Sequence, residues 1–115
     1  MAIAHWFFGA DMDRTATVEI TVLGVRPVGK GRLLALASVE LALEGVLFVL
    51  HGLQVLQIRD AITGAPATGV DLPRYRLPDG SWQVAIKLPP ELERPIGDAV
   101  LARCCELGIA RHAVG

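Results

Sequence analysis

Hydrophobic and polar positions alternate cleanly from Thr15 to Val25, with Val18, Ile20 and Val22 on one side and Thr17, Glu19 and Thr21 on the other. A period of two predicts a half-buried strand. Arg26-Pro27-Val28-Gly29-Lys30-Gly31 follows, and its Pro and Gly predict a turn. From Arg32 to Leu43 two readings stand side by side. The Leu, Ala and Glu content favours a helix, whereas Leu33, Ala35, Ala37, Val39 and Leu41 at every second position fit a strand. Gly45 ends the segment. Val46 to Leu50 is β-branched and aromatic and predicts a strand, which Leu53, Val55 and Gln57 continue past Gly52, a position suited to a bulge or bend.

Asp60 to Gly69 contains Thr63-Gly64-Ala65-Pro66 and predicts a loop. Leu72 to Gly80 predicts a second loop, closed by the turn-forming run Pro78-Asp79-Gly80. Ser81 to Leu88 alternates again, with Trp82, Val84 and Ile86 against Gln83, Ala85 and Lys87, and predicts a strand that Pro89 and Pro90 stop. From Pro95 to Leu107 the period lengthens. Ile96, Val100, Cys104 and Leu107 recur at three and four, which predicts a helix with Pro95 in its first turn and Gly108 as its C-terminal cap.

Composition adds a constraint on surface. The chain has 115 residues, of which 52% are hydrophobic and 20% charged. A single domain of this size buries only about two-thirds of its unfolded surface. Some apolar surface is therefore expected to sit against a second copy or a partner; an unusually full core is the alternative. Residues 1–14 form an apolar arm in which Trp6, Phe7 and Phe8 supply half of the six aromatics. That arm is expected to dock on its own domain or on a second subunit, with a flexible leader as the alternative. Residues 15–110 form the domain and 111–115 a short tail. The stretch from Leu33 to Ile58 is interrupted by Glu40, Glu44 and His51, and the N-terminus lacks a basic region. No membrane span and no secretory signal are expected. The only cysteines, Cys104 and Cys105, are adjacent and poorly placed to bridge, as suits reduced thiols in the cytoplasm.

Catalytic signatures are missing. The sequence has no CxxC pair, HExxH, Walker loop or GxSxG elbow, and His5, His51 and His112 lack ligand spacing. His51 suits a hydrogen-bonded structural imidazole, Cys104 a core thiol, and Glu91 and Glu93 the positive end of a helix. No enzyme activity, cofactor, metal or small-molecule substrate is expected.

Basic residues gather in three places. Arg26, Lys30 and Arg32 flank the first turn; Arg74, Arg76 and Lys87 surround Pro78-Asp79-Gly80; Arg94, Arg103 and Arg111 lie on or beside the helix. Tyr75 stands between two arginines, a combination that can hold a phosphate and stack a base. A solvated charged loop is the alternative. The net charge of −1 carries no global basic character, so any nucleic-acid contact would be local, and two-fold pairing would join two modest patches into one track.

Five segments, in order, resemble the stage V sporulation protein G family of septation regulators. Val22-Leu23-Gly24-Val25-Arg26-Pro27-Val28 is similar to its opening strand. Gly31-Arg32-Leu33-Leu34-Ala35-Leu36-Ala37-Ser38-Val39 resembles its GR-x-x-A-x-AS-(I/V) strand. Phe48-Val49-Leu50-His51, running on to Leu53 and Val55, resembles its F-V-V-H-D-(I/L)-x-V strand. Pro73 to Gly80 resembles its P-S-K-R-T-P-D-G loop, with Arg76 at the arginine, and Ile96-Gly97-Asp98-Ala99-Val100-Leu101 its I-x-D-A-V-L helix motif. The resemblance implies an α+β fold: a curved antiparallel sheet of about four to five strands with a C-terminal helix packed on it. It favours the strand reading of the Arg32–Leu43 segment. It also implies a cytoplasmic homodimer in bacteria that regulates by binding DNA or RNA. With that role, the basic residues of this chain are expected to supply the contacts: Arg74, Arg76 and Lys87 around the turn with Tyr75 between the arginines, and Arg103 and Arg111 from the helix and tail. A protein-interaction module on the same fold is the alternative. The chain departs from the family pattern at Gly52 and Gln54, at Arg74 and Tyr75, in a longer Asp60–Gly69 connection, and in a 108–115 region whose basic residues are Arg111 and His112.

Overall fold

The alternation that left Arg32–Leu43 open is resolved by burial. In the computed structural model, which describes residues 2–7 and 15–109, Ala35, Ala37, Val39 and Leu41 are all at most 2% exposed, while their neighbours in sequence are half-buried. A helix would have scattered these residues around its circumference; a strand puts all four on one face. The described elements are β1 (Ala2–Phe7), β2 (Thr15–Lys30), β3 (Leu33–Leu43), β4 (Val46–Arg59), β5 (Pro66–Asp71), β6 (Arg74–Arg76), β7 (Trp82–Val84) and α1 (Pro90–Glu106). β1 to β5 form one antiparallel sheet in sequence order, and β6 pairs with β7 as a separate two-stranded ribbon. The fold is α+β, with α1 packed on one face of the sheet.

The inner face of the sheet is apolar because the period-two pattern holds across three strands. Val18 and Ile20 of β2, the four residues of β3, and Leu50, Leu53 and Val55 of β4 form its core. α1 lays Leu92, Ile96, Val100 and Cys104 against them, a stripe at four-residue spacing. It crosses the sheet from β5, where Gly97 faces Val70, towards β2 and β1. Burial raises the Cys104 thiol pKa, with neighbouring Cys105 adding to the effect, so Cys104 belongs to the core as its position in the stripe suggested.

Two bulges bend the sheet at one level. β2 gains Leu23 between the pairs Val22–Val39 and Gly24–Ser38, and β4 opposes Ser38 with both His51 and Gly52. Gly52 sits at φ +80°, a conformation that favours glycine, so the bulge expected there is present. Ser38 Oγ lies 2.8 Å from His51 Nδ1, a hydrogen bond across the bulge on the face away from α1.

Several boundaries differ from the sequence reading. β2 runs on to Lys30 through Pro27, because a register shift between Pro27 and Lys30 absorbs the irregularity and the chain reverses only at Gly31-Arg32. β5 takes up the last four residues of the expected Asp60–Gly69 loop; it starts at Pro66, at the sheet edge, where a strand tolerates a proline. β6 occupies part of the expected Leu72–Gly80 loop, since three residues are too few to show a period. The strand expected over Ser81–Leu88 is cut to Trp82–Val84, beyond which Ile86 and Leu88 turn into the core. α1 begins at Pro90 rather than near Pro95, because proline fits a first helical position, and Pro95 therefore lies inside the helix. Part of the apolar arm docks as expected: β1 is the edge strand beside β2, and α1 packs near it. Phe8 and the rest of the arm up to Arg14 lie outside the described residues.

The β3–β4 hairpin is closed by Glu44 and Gly45, both at positive φ, 50° and 79°. A two-residue turn of this kind prefers Asn-Gly, and an L-residue other than Asn or Asp is strained in its first position. Glu44→Asn is expected to stabilise the protein by about 0.5–1 kcal/mol. That should raise Tm by roughly 2–6 °C, read by thermal denaturation followed by circular dichroism.

Candidate nucleic-acid interface

The ribbon grows out of the core and returns to it. Leu72 is buried before it, and Ile86 and Leu88 pack on the core after it. Ala85 N–H donates to Pro73 C=O at 2.8 Å and ties the two ends together. At the tip, Gly80 N–H donates to Leu77 C=O at 2.9 Å, Leu77 N–H donates to Ser81 C=O at 2.8 Å, and Gly80 takes φ +91°. This is the three-residue hairpin loop that Pro-Asp-Gly favours. Asp79 completes it: its Oδ1 accepts from Ser81 Oγ at 2.6 Å and from Ser81 N–H at 2.9 Å. Those two donors, the hydroxyl first, hold the Asp79 carboxyl below its ordinary pKa near 3.8.

All six ribbon residues are exposed. The pairs are Arg74–Val84, Tyr75–Gln83 and Arg76–Trp82. Directly opposed residues share a face, so Arg74, Arg76, Trp82 and Val84 lie on one side and Tyr75 and Gln83 on the other. The sequence pairs the arginines with Tyr75 by adjacency. The ribbon instead pairs them with Trp82, whose ring lies 6.0 Å from the Arg76 guanidinium carbon, at the outer range of a cation–π contact. Trp82 is 59% exposed and Tyr75 45%. The signal for Trp82 lay in the sequence: a three-residue turn puts residue 82 opposite residue 76.

The ribbon lies beside the sheet face that α1 leaves uncovered. Arg26, Leu36, Gln54 and Asp71 are cross-strand partners along one row of that face. Arg74 reaches back to Asp71 at 3.4 Å, a partly exposed pair of small energetic weight. Gln54, Leu56, Asp71, Arg74 and Trp82 line a cleft of about 330 Å³ between ribbon and sheet. Arg26 stands three strands from Asp71, roughly 14 Å at ordinary strand spacing. At the same end of the sheet, Arg32 and Arg59 line another cleft; Arg32 Nε donates to Gln57 C=O and Arg59 Nη1 to Gly64 C=O.

The other candidate residues do not join this group equally. Lys87 is exposed just beyond the ribbon. Arg103 lies on α1, in a groove with Ile20 and Val22 on the opposite face of the sheet, and donates to Glu106 at 2.8 Å. Arg111 lies outside the described residues. Among the described residues no group of three or more His, Cys, Asp or Glu could hold a metal ion, and no helix is long and apolar enough to cross a membrane. Comparison with models of known protein families gives no match, and neither does a search of curated proteins.

Because the folded state depresses the Asp79 pKa, the carboxylate's contribution to the turn is complete above about 3.8 and is lost as pH falls through the lower folded value. In an NMR titration, the Ser81 amide should shift with a midpoint below 3.8, and Asp79→Asn should abolish that titration.

Proposed function

We propose that this chain is a homodimeric, non-enzymatic regulatory protein that binds nucleic acid, resembling the stage V sporulation protein G family in both fold and role. The observation that carries this reading is the ribbon: Arg74, Arg76 and Trp82 share one exposed face on a short hairpin whose base is fixed in the core. Arginines on such an element can contact phosphates without refolding, and an exposed aromatic beside them suits bases. The sequence resemblance, which spans the ribbon, the strands and the helix motif, points the same way. Lys87 adds a phosphate contact at the ribbon base. Arg103 serves the interface less, since Glu106 holds its guanidinium on the helix side.

Dimerisation is supported by the face of the sheet opposite α1. Leu47 and Val49 of β4 point from it at 64% and 41% exposure, and Leu23, at the β2 bulge, is 51% exposed. Such a group of large apolar side chains suits contact with a second copy of the chain. It lies towards the Glu44-Gly45 hairpin and leaves the ribbon free. A pair of ribbons, one from each copy, would then present one extended basic surface. The same apolar group also supports the second reading, a protein-interaction module.

Fluorescence anisotropy with labelled DNA and RNA tests the first reading. If Arg74 and Arg76 of both copies neutralise about four phosphates, affinity should fall roughly 50-fold for single strands and 150-fold for duplex between about 50 and 200 mM salt. Arg74→Glu with Arg76→Glu should abolish binding while leaving the far-UV circular dichroism unchanged. Absence of binding at low salt would favour the protein-interaction reading.

The second copy is tested separately. Leu47→Glu with Val49→Glu should convert a dimer to a monomer in sedimentation equilibrium, because both side chains are exposed in the protomer and neither belongs to its core. An unchanged mass would place the contact elsewhere.

A further inference from the structure

We infer that the cleft between the ribbon and the sheet is a pocket for one unpaired nucleobase, with Trp82 as its stacking wall. This deepens the nucleic-acid reading above and rests on it: it assigns the ligand class as single-stranded DNA or RNA, or an unstacked loop, rather than intact duplex.

Three features converge. Trp82 belongs to a ribbon whose fold does not need it: it is 59% exposed, outside the core, and its neighbour Val84 is 44% exposed. Trp82 also lines the cleft, with Leu56 as a second apolar residue. Cross-strand partners Gln54 and Asp71 supply the polar lining. An amide can both donate to and accept from a base edge, and a carboxylate accepts from an exocyclic amine. Arg74 closes the cleft beside Asp71, and Arg76 lies over Trp82. A stacking surface, a hydrogen-bonding edge and two phosphate-seeking guanidiniums are the three needs of a single nucleotide. In a duplex the base faces are occupied by neighbouring bases, so this set of groups would go unused.

The two arginines alone would bind any polyphosphate backbone, so the test separates base from phosphate. Full-length protein carrying Trp6→Phe, which leaves Trp82 as the sole tryptophan, is titrated with 12-nucleotide single-stranded DNA and RNA. The matching DNA duplex and an abasic strand of equal length serve as controls. Base-bearing single strands should bind at least tenfold more tightly than the abasic strand or the duplex, and should quench Trp82 emission. Trp82→Ala should weaken single-strand binding roughly 10- to 100-fold without altering abasic-strand affinity, and Trp82→Phe should restore most of the loss. A preference for DNA or RNA would identify the source of the base. Equal affinity for abasic and base-bearing strands, or a Trp82→Ala variant that binds normally, would overturn the pocket and leave the phosphate-binding reading intact. Failure of every strand to bind at low salt would overturn both.

Discussion

The stripe of Leu92, Ile96, Val100 and Cys104 against the inner face of the sheet is the contact on which the rest of the structure depends. Burying a side chain such as Ile96 or Val100 contributes roughly 1.5–3 kcal/mol, against a net stability of about 5–15 kcal/mol for a typical domain. One helix cannot cover two faces. The 17-residue α1 crosses from β5 to β1 and makes one side of the sheet interior, leaving the other as surface. The asymmetry then determines what each strand can offer. Residues beside the core positions, including Arg26, Gln54 and Leu47, have no helix to meet and make up the outer face of the sheet.

The ribbon is a consequence of the same contact. After β5 the chain must leave one edge of the sheet and reach the N-terminus of α1. It does so by anchoring Leu72, extending Arg74 to Val84 as a hairpin, and re-entering the core with Ile86 and Leu88. The Pro73–Ala85 hydrogen bond fixes the base and the Asp79–Ser81 pair fixes the tip. Two-stranded hairpins are marginal by themselves. This one is held by its anchors, which leaves its six paired side chains free of any packing duty.

What the sequence made legible follows from how many residues carried each signal. The strand around Val18–Val22 announced itself by alternation, the one from Val46 by its β-branched and aromatic run, and the helix by Ile96, Val100, Cys104 and Leu107 at spacings of three and four, although Leu107 proves to be the half-exposed C-cap and Leu92 the fourth member of the stripe. Gly52 marked its bulge because a glycine inside an otherwise alternating run gives the chain a place to take positive φ and shift register. β3 stayed open because Leu and Ala pack well in both helices and strands, and only contact with α1 separates the two. β5 and β6 were hidden by Pro66, Gly69 and Pro73, residues that argue for loops in a short window yet are tolerated at a sheet edge or beside a three-residue strand. At the site, the basic cluster was legible directly, and its partner aromatic only through the register of the turn. Tyr75 is adjacent to both arginines in sequence but turns to the other side of the ribbon, whereas Trp82 joins them only once the turn register is known.

The near-neutral net charge weighs less against a nucleic-acid interface than the bare sum of charges suggests. Residues 74 to 87 contain Arg74, Arg76 and Lys87 against a single acid, Asp79, and that acid is occupied by Ser81. Glu40 pairs with Val49, five residues along β4 from Gln54, which is more than about 15 Å at strand spacing. At physiological ionic strength charges are screened over about 8 Å, so Glu40, and Glu44 beyond it, barely reach the ribbon. Four further acids, Glu91, Glu93, Asp98 and Glu106, ride on α1 across the sheet. Asp71 is the exception close at hand, and its carboxylate is met by Arg74. Screening therefore lets a molecule with net charge −1 present a locally cationic hairpin, because Glu40, Glu44 and the four acids of α1 lie away from it.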